Sequence, residues 1–355
     1  MSVFGRSLIY SGLREFRHRC ASTISFPLLI LLGISPASHG SALFEDNAVL
    51  EVSVIGPLTT LLEDQRSRAQ LPFVLRANGV DHAIELRVRG KSRLEVCRFP
   101  PLRLKFVADD TLGTVFAEQN KLKLVTHCRP GDSYQTSALR EFAAYRIFNL
   151  ISEVGYRVRL LHITYIDTAE GRKKKTSSRY GFLIESAAAL ALRTNGTPLN
   201  DKGISVASLD KQHAAKVFIF AYLIGNTDWS LVRAKDDDKC CHNGDVFDIG
   251  PSRYFVPYDF DLSGIVNARY AWTNPAVRIS KVTQRKYRGY CIPADALKLG
   301  LIHIKGLRAD ILDVIDEVPG LSLKDRQKTF KFLDGFFSRA SDEDKLLRRF
   351  ERYCL

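Results

Sequence analysis

The stretch Ile224-Gly225-Asn226-Thr227-Asp228-Trp229 ends one apolar run, and Pro257-Tyr258-Asp259-Phe260-Asp261 ends a second. The first reads as a core helix over Lys211 to Ile224, stopped by Gly225, the residue that most easily takes the left-handed turn past a helix end. Asp228 then sits on a tight Asn-Thr-Asp turn. The second reads as a hydrophobic strand. Residues two apart in extended backbone share a face, so Asp259 and Asp261 are expected side by side. Two like charges about 7 Å apart repel by roughly 2–3 kcal/mol at an effective dielectric near 20. Val256, Pro257, Tyr258, Phe260 and Leu262 limit water around them. A divalent cation turns that cost into a gain, and Mg2+ is commonly held by one or two carboxylates together with substrate phosphates. Three acids so placed have the layout of a phosphoryl-transfer site. Asp228 would orient and deprotonate a hydroxyl, Asp259 and Asp261 would hold the metal, and Asn243 would add a neutral oxygen.

Upstream, the chain reads as β-rich. Residues Val49 to Gly56, Asp81 to Arg89 and Leu102 to Phe106 have strand character, and Leu122 and Leu124, flanked by Lys121 and Lys123, make another strand. Together they predict a small sheet with basic residues on one face. A helix is expected from Ser137, a fair N-cap, to Ile151. Glu141 lies within it, and a buried carboxylate there needs a cation, for which the preceding strand's lysine is the nearest supply. Arg159 to Asp167 and Arg179 to Glu185 form a hairpin around the basic run Arg172-Lys173-Lys174-Lys175. A short helix, Ala187 to Leu192, leads to a loop with Gly196 and Pro198. That loop is the expected boundary between a β-rich part, 43–198, and a mainly helical part, 199–355. The tail from Ala294 to Tyr353 is amphipathic helix, broken near Pro319-Gly320.

At 355 residues the chain is long enough for a large core in two lobes or two domains. The net charge of +13 favours anionic partners. The basic run lacks the interleaved aromatics of a single-strand binder, so no specific nucleic-acid partner is expected. The Asp236-Asp237-Asp238 run reads as a solvated loop, and His242 as a surface histidine. Arg89-Gly90-Lys91-Ser92-Arg93 reads as a turn whose backbone and cations meet phosphates. Arg6, Arg14, Arg17 and Arg19, the apolar run Ile24 to Ile34, and the small residues Gly40-Ser41-Ala42 resemble a secretory signal over 1–42. The protein is therefore expected to be exported, to the periplasm or outside the cell. The alternative is an anchor over Cys20 to Ala37; no stable transmembrane span is expected. Cleavage after Ala42 leaves six of the seven cysteines, an even number that suits a disulfide-permitting compartment. The spacing offers no zinc site, and the adjacent Cys240 and Cys241 are not expected to bridge each other.

Taken in order, several stretches are similar to the CotH-type spore-coat kinases, an atypical branch of the protein-kinase-like fold. They are Arg87-Val88-Arg89-Gly90-Lys91-Ser92, the strand Leu102 to Phe106, Lys121-Leu122-Lys123-Leu124 and the helix around Leu139-Arg140-Glu141-Phe142. Gly181-Phe182-Leu183-Ile184-Glu185, Asn226-Thr227-Asp228 and Asp259-Phe260-Asp261 complete the set. The resemblance implies an α+β, two-lobed protein-kinase-like fold with a β-rich N-lobe and a mainly helical C-lobe. It implies transfer of the γ-phosphoryl group of ATP, with Mg2+, to Ser or Thr of a protein substrate. On it, Lys123 looks like the strand lysine on the nucleotide phosphates, with Lys121 or Lys105 as rivals and Arg89 nearby. Glu141 looks like its helix partner, Asp228 like the catalytic acid, and Asp259 like the metal ligand, assisted by Asp261 and Asn243. The segment between Asp228 and Asn243 is longer than in ordinary kinases, and the glycine-rich loop is reduced. Two other classes fit the same acids: a catalytically inactive binding module and a metal-dependent phosphodiesterase.

Overall fold

The computed structural model describes residues 42–107, 110–170, 175–201, 203–232 and 240–355. All of these belong to one compact unit, His39–Leu355. Apart from Ala42, the expected secretory segment lies outside the described residues, as do the alternative anchor and the Asp236-Asp237-Asp238 run; of the basic run only Lys175 is described. Among the described residues no helix is long and apolar enough to cross a membrane.

A short helix α1 (Ala42–Glu45) leads into strand β1 (Leu50–Gly56), helix α2 (Leu58–Glu63), and strands β2 (Leu71–Ala77) and β3 (Val80–Val88). Helix α3 (Ser92–Val96) precedes β4 (Leu102–Phe106) and β5 (Lys121–Val125). Helix α4 (Asp132–Ile151) precedes the long hairpin β6 (Val158–Asp167) and β7 (Lys175–Ile184). These seven strands close into a barrel in the order β1-β2-β3-β4-β5-β7-β6. Neighbours are antiparallel except at the closure, where β1 runs parallel to β6 with Leu50 opposite Leu161. Alternating burial along β2, β3 and β4 turns Leu75, Leu86 and Leu104 into the barrel interior, each at most 1% exposed.

Helix α5 (Ala187–Thr194) and strand β8 (Thr197–Leu199) follow the barrel. Helix α6 (Lys211–Ile224) comes next, then β9 (Gly244–Ile249) and β10 (Ser252–Pro257), which form a three-stranded sheet with β8. Four helices end the chain: α7 (Ala294–Gly306), α8 (Arg308–Glu317), α9 (Leu323–Ala340) and α10 (Glu343–Tyr353). Helices α7 and α9 pack against α6, which is buried from His213 to Ile224 except at Lys216. Phe148, Phe220 and Phe260 pack in this second core with tilted and edge-on ring contacts. Full burial of each such ring is worth about 1.5–3 kcal/mol.

The expected two-lobed protein-kinase-like fold is corrected here. Mixed α and β content is present, but the β-rich part is a closed seven-stranded barrel. Closure rests on the β1–β6 pairing between segments far apart in sequence, which leaves no free sheet edge there. Periodicity also passed over β2, whose Pro72 is unusual in a strand interior.

Smaller corrections have local causes. Helix α4 starts one turn before Ser137, after Gly131 at φ 111°, and the Ser137 hydroxyl instead donates back to the Ser133 carbonyl at 3.2 Å. The C-terminal tail breaks at Leu307 and Ser341 as well as near Pro319-Gly320. Cys240 and Cys241 do bridge each other. A cis peptide bond joins them, bringing their Cα atoms to 3.0 Å, closer than the ~3.8 Å of a trans link. The other described cysteines pair as Cys97–Cys128 and Cys291–Cys354.

Helix α6 is held at both ends. The Asp210 carboxylate accepts from the His213 amide at 2.7 Å, and Gly225 closes the helix in the left-handed region at φ 66°. A Cβ at Gly225 would lie 3.1 Å from the Phe332 ring. Gly225→Ala is therefore expected to lower stability by about 1–2 kcal/mol, read from the urea midpoint. An unchanged midpoint would show that the left-handed turn and the Phe332 contact impose no such cost.

Candidate active site

Helix α6 ends in Gly225, and the chain turns through Asn226 to Asp228, whose amide donates to the Asn226 side chain at 2.9 Å. Two neighbours grip the Asp228 carboxylate. His242 Nε2 lies 2.9 Å from Oδ1, and Asn243 Nδ2 donates to Oδ2 at 2.9 Å and to the Asp228 carbonyl at 2.7 Å. Asn243 adopts a left-handed φ of 52°, and its carbonyl accepts from the Tyr258 amide at 3.0 Å. One residue thus ties the Asp228 turn to Tyr258 at the end of β10, next in the chain to Asp259. His242, expected at the surface, is half-buried and helps to hold Asp228.

Beyond Pro257 the backbone is not a strand. Asp259 sits at φ 60°, a conformation few side chains adopt but one that Asp tolerates. Its amide donates to the Tyr145 hydroxyl of α4 at 2.9 Å, and the intervening Phe260 ring packs 4.5 Å from Tyr145 between centroids. Asp259 and Asp261 do meet on one side, but through this kink and not through strand alternation.

They meet on Arg93. Its Nε donates to Asp261 Oδ2 at 2.8 Å, and its Nη2 donates to Asp259 Oδ1 at 2.6 Å and to Glu141 Oε1 at 2.8 Å. The partner of Glu141 is thus Arg93 and not a lysine of the preceding strand. The side chains of Arg93, Glu141 and Asp261 are 8%, 2% and 6% exposed, whereas that of Asp259 is 43% exposed. Arg93 rides on α3, and the Cys97–Cys128 disulfide clips the end of that helix to the segment after β5. The Arg129 guanidinium holds the Val96 carbonyl, and the Phe99 amide donates to the Cys128 carbonyl at 2.8 Å. Sequence reasoning saw Arg93 only as the end of a basic turn. Its signal was indirect: a buried Glu141 that required some cation.

One guanidinium among three carboxylates leaves the cluster short of positive charge. Burial pushes the Glu141 carboxyl up to about 8; Arg93 opposes this, while Asp261 and Asp259 add to it. Burial likewise raises Asp261 to about 6 against the pull of Arg93. At Asp259 burial also favours the neutral form, but Arg93, Arg89 and Lys123 outweigh it and hold the carboxyl below its ordinary range.

Beside the acids, β3, β4 and β5 present Arg87, Arg103, Lys105, Lys121 and Lys123 on one face, and Arg89 follows β3. Arg103 lies opposite both Arg87 and Lys123, and Lys105 lies opposite Lys121. Lys123 rests 4.8 Å from the Tyr258 ring centre, and burial with the charge of Arg89 lowers its pKa to about 8 although Asp245 and Asp259 favour its ammonium. Asp245, on β9, accepts from the Tyr156 hydroxyl and was not picked out from the sequence. Arg103 is held down by burial and by its like-charged neighbours Arg87 and Arg89. Lys105, expected as a rival of Lys123, pairs with Glu85 at 2.8 Å, and Lys121 is exposed.

Comparison with known proteins adds little. No protein-family model matches the chain, and no curated protein matches it. Among solved structures it is similar to a Helicobacter pylori proinflammatory kinase, CtkA. The two share 11% identity and a TM-score of 0.33 over 76% of this chain and 91% of that one. A likeness at that level carries no weight for fold or activity.

Two outcomes follow from the cluster. Arg93→Ala leaves buried carboxylates without their cation and is expected to cost about 3–5 kcal/mol, measured by denaturant unfolding; a loss within error of zero would contradict the geometry. The carboxyl of Glu141 has an ordinary value of 4.5 and a folded value of about 8. The stability it contributes is therefore full at acid pH and fades as pH rises through that window. Glu141→Gln should accordingly flatten the fall in unfolding free energy between pH 5 and pH 8, and an identical slope in both proteins would remove Glu141 from this role.

Proposed function

We propose that this chain transfers the γ-phosphoryl group of ATP to a Ser or Thr hydroxyl of a protein substrate. The observation that carries the reading is the half-buried cation stripe of Arg89, Arg103 and Lys123, with Asp259 beside Arg89 and Lys123. Cations whose pKa values are pressed down by burial and by one another are stabilised by a polyanion, and a nucleotide triphosphate supplies one. Lys123 and Arg89 grip phosphate oxygens, as Arg and Lys do at many phosphate sites. Asp228, oriented by His242 and Asn243, accepts the proton of the attacking hydroxyl. The disulfides suit an oxidising compartment, which favours an exported or envelope substrate.

The residues present fit Mg2+ in part. Asp259 engages Arg93 through Oδ1 and stands half-exposed, and Asn243 engages Asp228 through its Nδ2. The remaining side-chain oxygen of each would hold the ion. Asp261 does not fit, because its buried carboxylate is committed to Arg93. Among the described residues no three His, Cys, Asp or Glu side chains gather as a metal site, so substrate phosphates would complete the coordination, as is common for Mg2+. When bound, Mg2+ would neutralise charge developing on the transferred group. Arg93 then acts as a positioning residue that aims Asp259.

The grip of Arg93 on all three acids also favours a second reading, a catalytically inactive module that binds a polyanion on the cation stripe. Labelled ATP with Mg2+ and the purified chain separates the two. Transfer is expected from the native protein, and Asp228→Asn should reduce it by roughly a hundred- to ten-thousand-fold while nucleotide-dependent thermal stabilisation persists. Stabilisation by nucleotide without any transfer would leave the binding module; transfer undiminished in Asp228→Asn would overturn the assignment of the base.

A further inference from the structure

The barrel holds a second concavity, of about 290 Å³, between α2, strands β6 and β7, and the segment after β5. Nothing in the proposed phosphotransfer uses it. Its wall is aromatic: Phe99 lies 4.7 Å from the His127 ring and 4.8 Å from the Tyr165 ring, centre to centre. Leu58 and Leu62 of α2 line it further. Within this wall two polar atoms lack partners. His127 is 6% exposed with no hydrogen bond to Nδ1, and Tyr165 is 1% exposed with none to its hydroxyl. Both atoms have almost no accessible surface, so they lie behind the wall and are not open to a ligand in the cavity.

Charge supplies the other half of the recognition. Arg179 of β7 lines the cavity and lies near enough to His127 to disfavour its protonation, and Lys175 stands at the exposed rim. Burial, helped by Arg179, lowers His127 to about 4, so the imidazole is neutral at physiological pH. The carboxylate of the cavity, Asp167, is already engaged by the Thr59 amide and hydroxyl and by the Ala169 amide. Its oxygens are therefore taken up within the protein; Arg179 donates through Nη1 to the Ser178 carbonyl at 3.1 Å, and its other guanidinium N–H groups and the Lys175 ammonium remain to face an anion.

We propose that this cavity is a binding site for a small planar aromatic carboxylate. The ring lies against Phe99, Leu58 and Leu62, and the carboxylate meets Arg179 and Lys175. The Cys97–Cys128 disulfide secures the wall, since Phe99 and His127 flank its two ends and the Thr126 hydroxyl donates to the Phe99 carbonyl at 2.8 Å.

The test is calorimetric titration of the full chain with 4-hydroxybenzoate and with its neutral counterpart 4-hydroxybenzamide. Saturable one-to-one binding of the carboxylate is expected, with the amide weaker by about tenfold or more. Arg179→Gln, a change on a half-exposed strand position, should weaken the carboxylate by a similar factor and leave the amide unchanged. Nitrogen NMR of the imidazoles gives an independent position, because the His127 ring signals should shift on addition of the ligand. No saturable heat at millimolar ligand, equal affinity for both compounds, or undiminished binding in Arg179→Gln would each overturn the proposal. Since the cavity shares no residue with Asp228 or Asp259, these results are independent of any phosphotransfer assay.

Discussion

The guanidinium of Arg93 is the point on which the structure turns. It draws Glu141 from α4 and Asp259 and Asp261 from the segment after β10 onto one buried cation. Buried carboxylates without such a partner are costly, so this single group allows acids from separate stretches to converge. Its own place depends on α3, only five residues long, which cannot be stable alone. The Cys97–Cys128 link, closing 31 residues, supplies about 3–4 kcal/mol in the chain-entropy view. The covalent clip, the short helix and the acid cluster therefore form one mechanical unit.

The two cores explain how that unit sits against the cation stripe. Barrel strands turn alternate residues inward to an apolar interior and leave Arg87, Arg103 and Lys123 outside on a common face. Helices α4 and α6 build the other core, and Tyr145 and Phe220 fix Phe260 between them. Asp259 is thus held by its hydrophobic neighbour as well as by its own bonds to Tyr145 and Arg93. The left-handed backbone at Asp259 and at Asn243 is maintained by this surrounding packing, and such strain gathers at sites where geometry matters.

Electrostatically the site is two opposed fields. On one side burial, with neighbouring carboxylates adding to it, raises Glu141 and Asp261. On the other burial, with like-charged neighbours adding to it, lowers Lys123 and Arg103. Asp259 stands between them and stays ionised. A polyanionic nucleotide bound to the stripe would relieve the second imbalance, and Arg93 already moderates the first. The aromatic cavity at Phe99 and His127 is built on a different balance, apolar walls with cations at the edge, and takes a different class of anion.

Much of this was legible in residues that are close in sequence. The apolar run of α6, its stop at Gly225, the turn presenting Asp228 and the strand character of β3, β4 and β5 all follow from local periodicity and turn chemistry. So did the importance of Asp259 and Asp261, because acids in apolar surroundings demand a counter-charge. Which charge answers that demand was not legible. Arg93 reaches Asp261 across 168 positions, and nothing in its own neighbourhood marks it as a buried cation. Barrel closure by β1 and β6, the left-handed kink at Asp259 and the bond between Cys240 and Cys241 are likewise products of packing. Local sequence determines which elements and which acids exist, because hydrogen bonding and hydrophobic period act over a few residues. Only the tertiary fold decides which charges meet, because that depends on the low-cost burial of the whole.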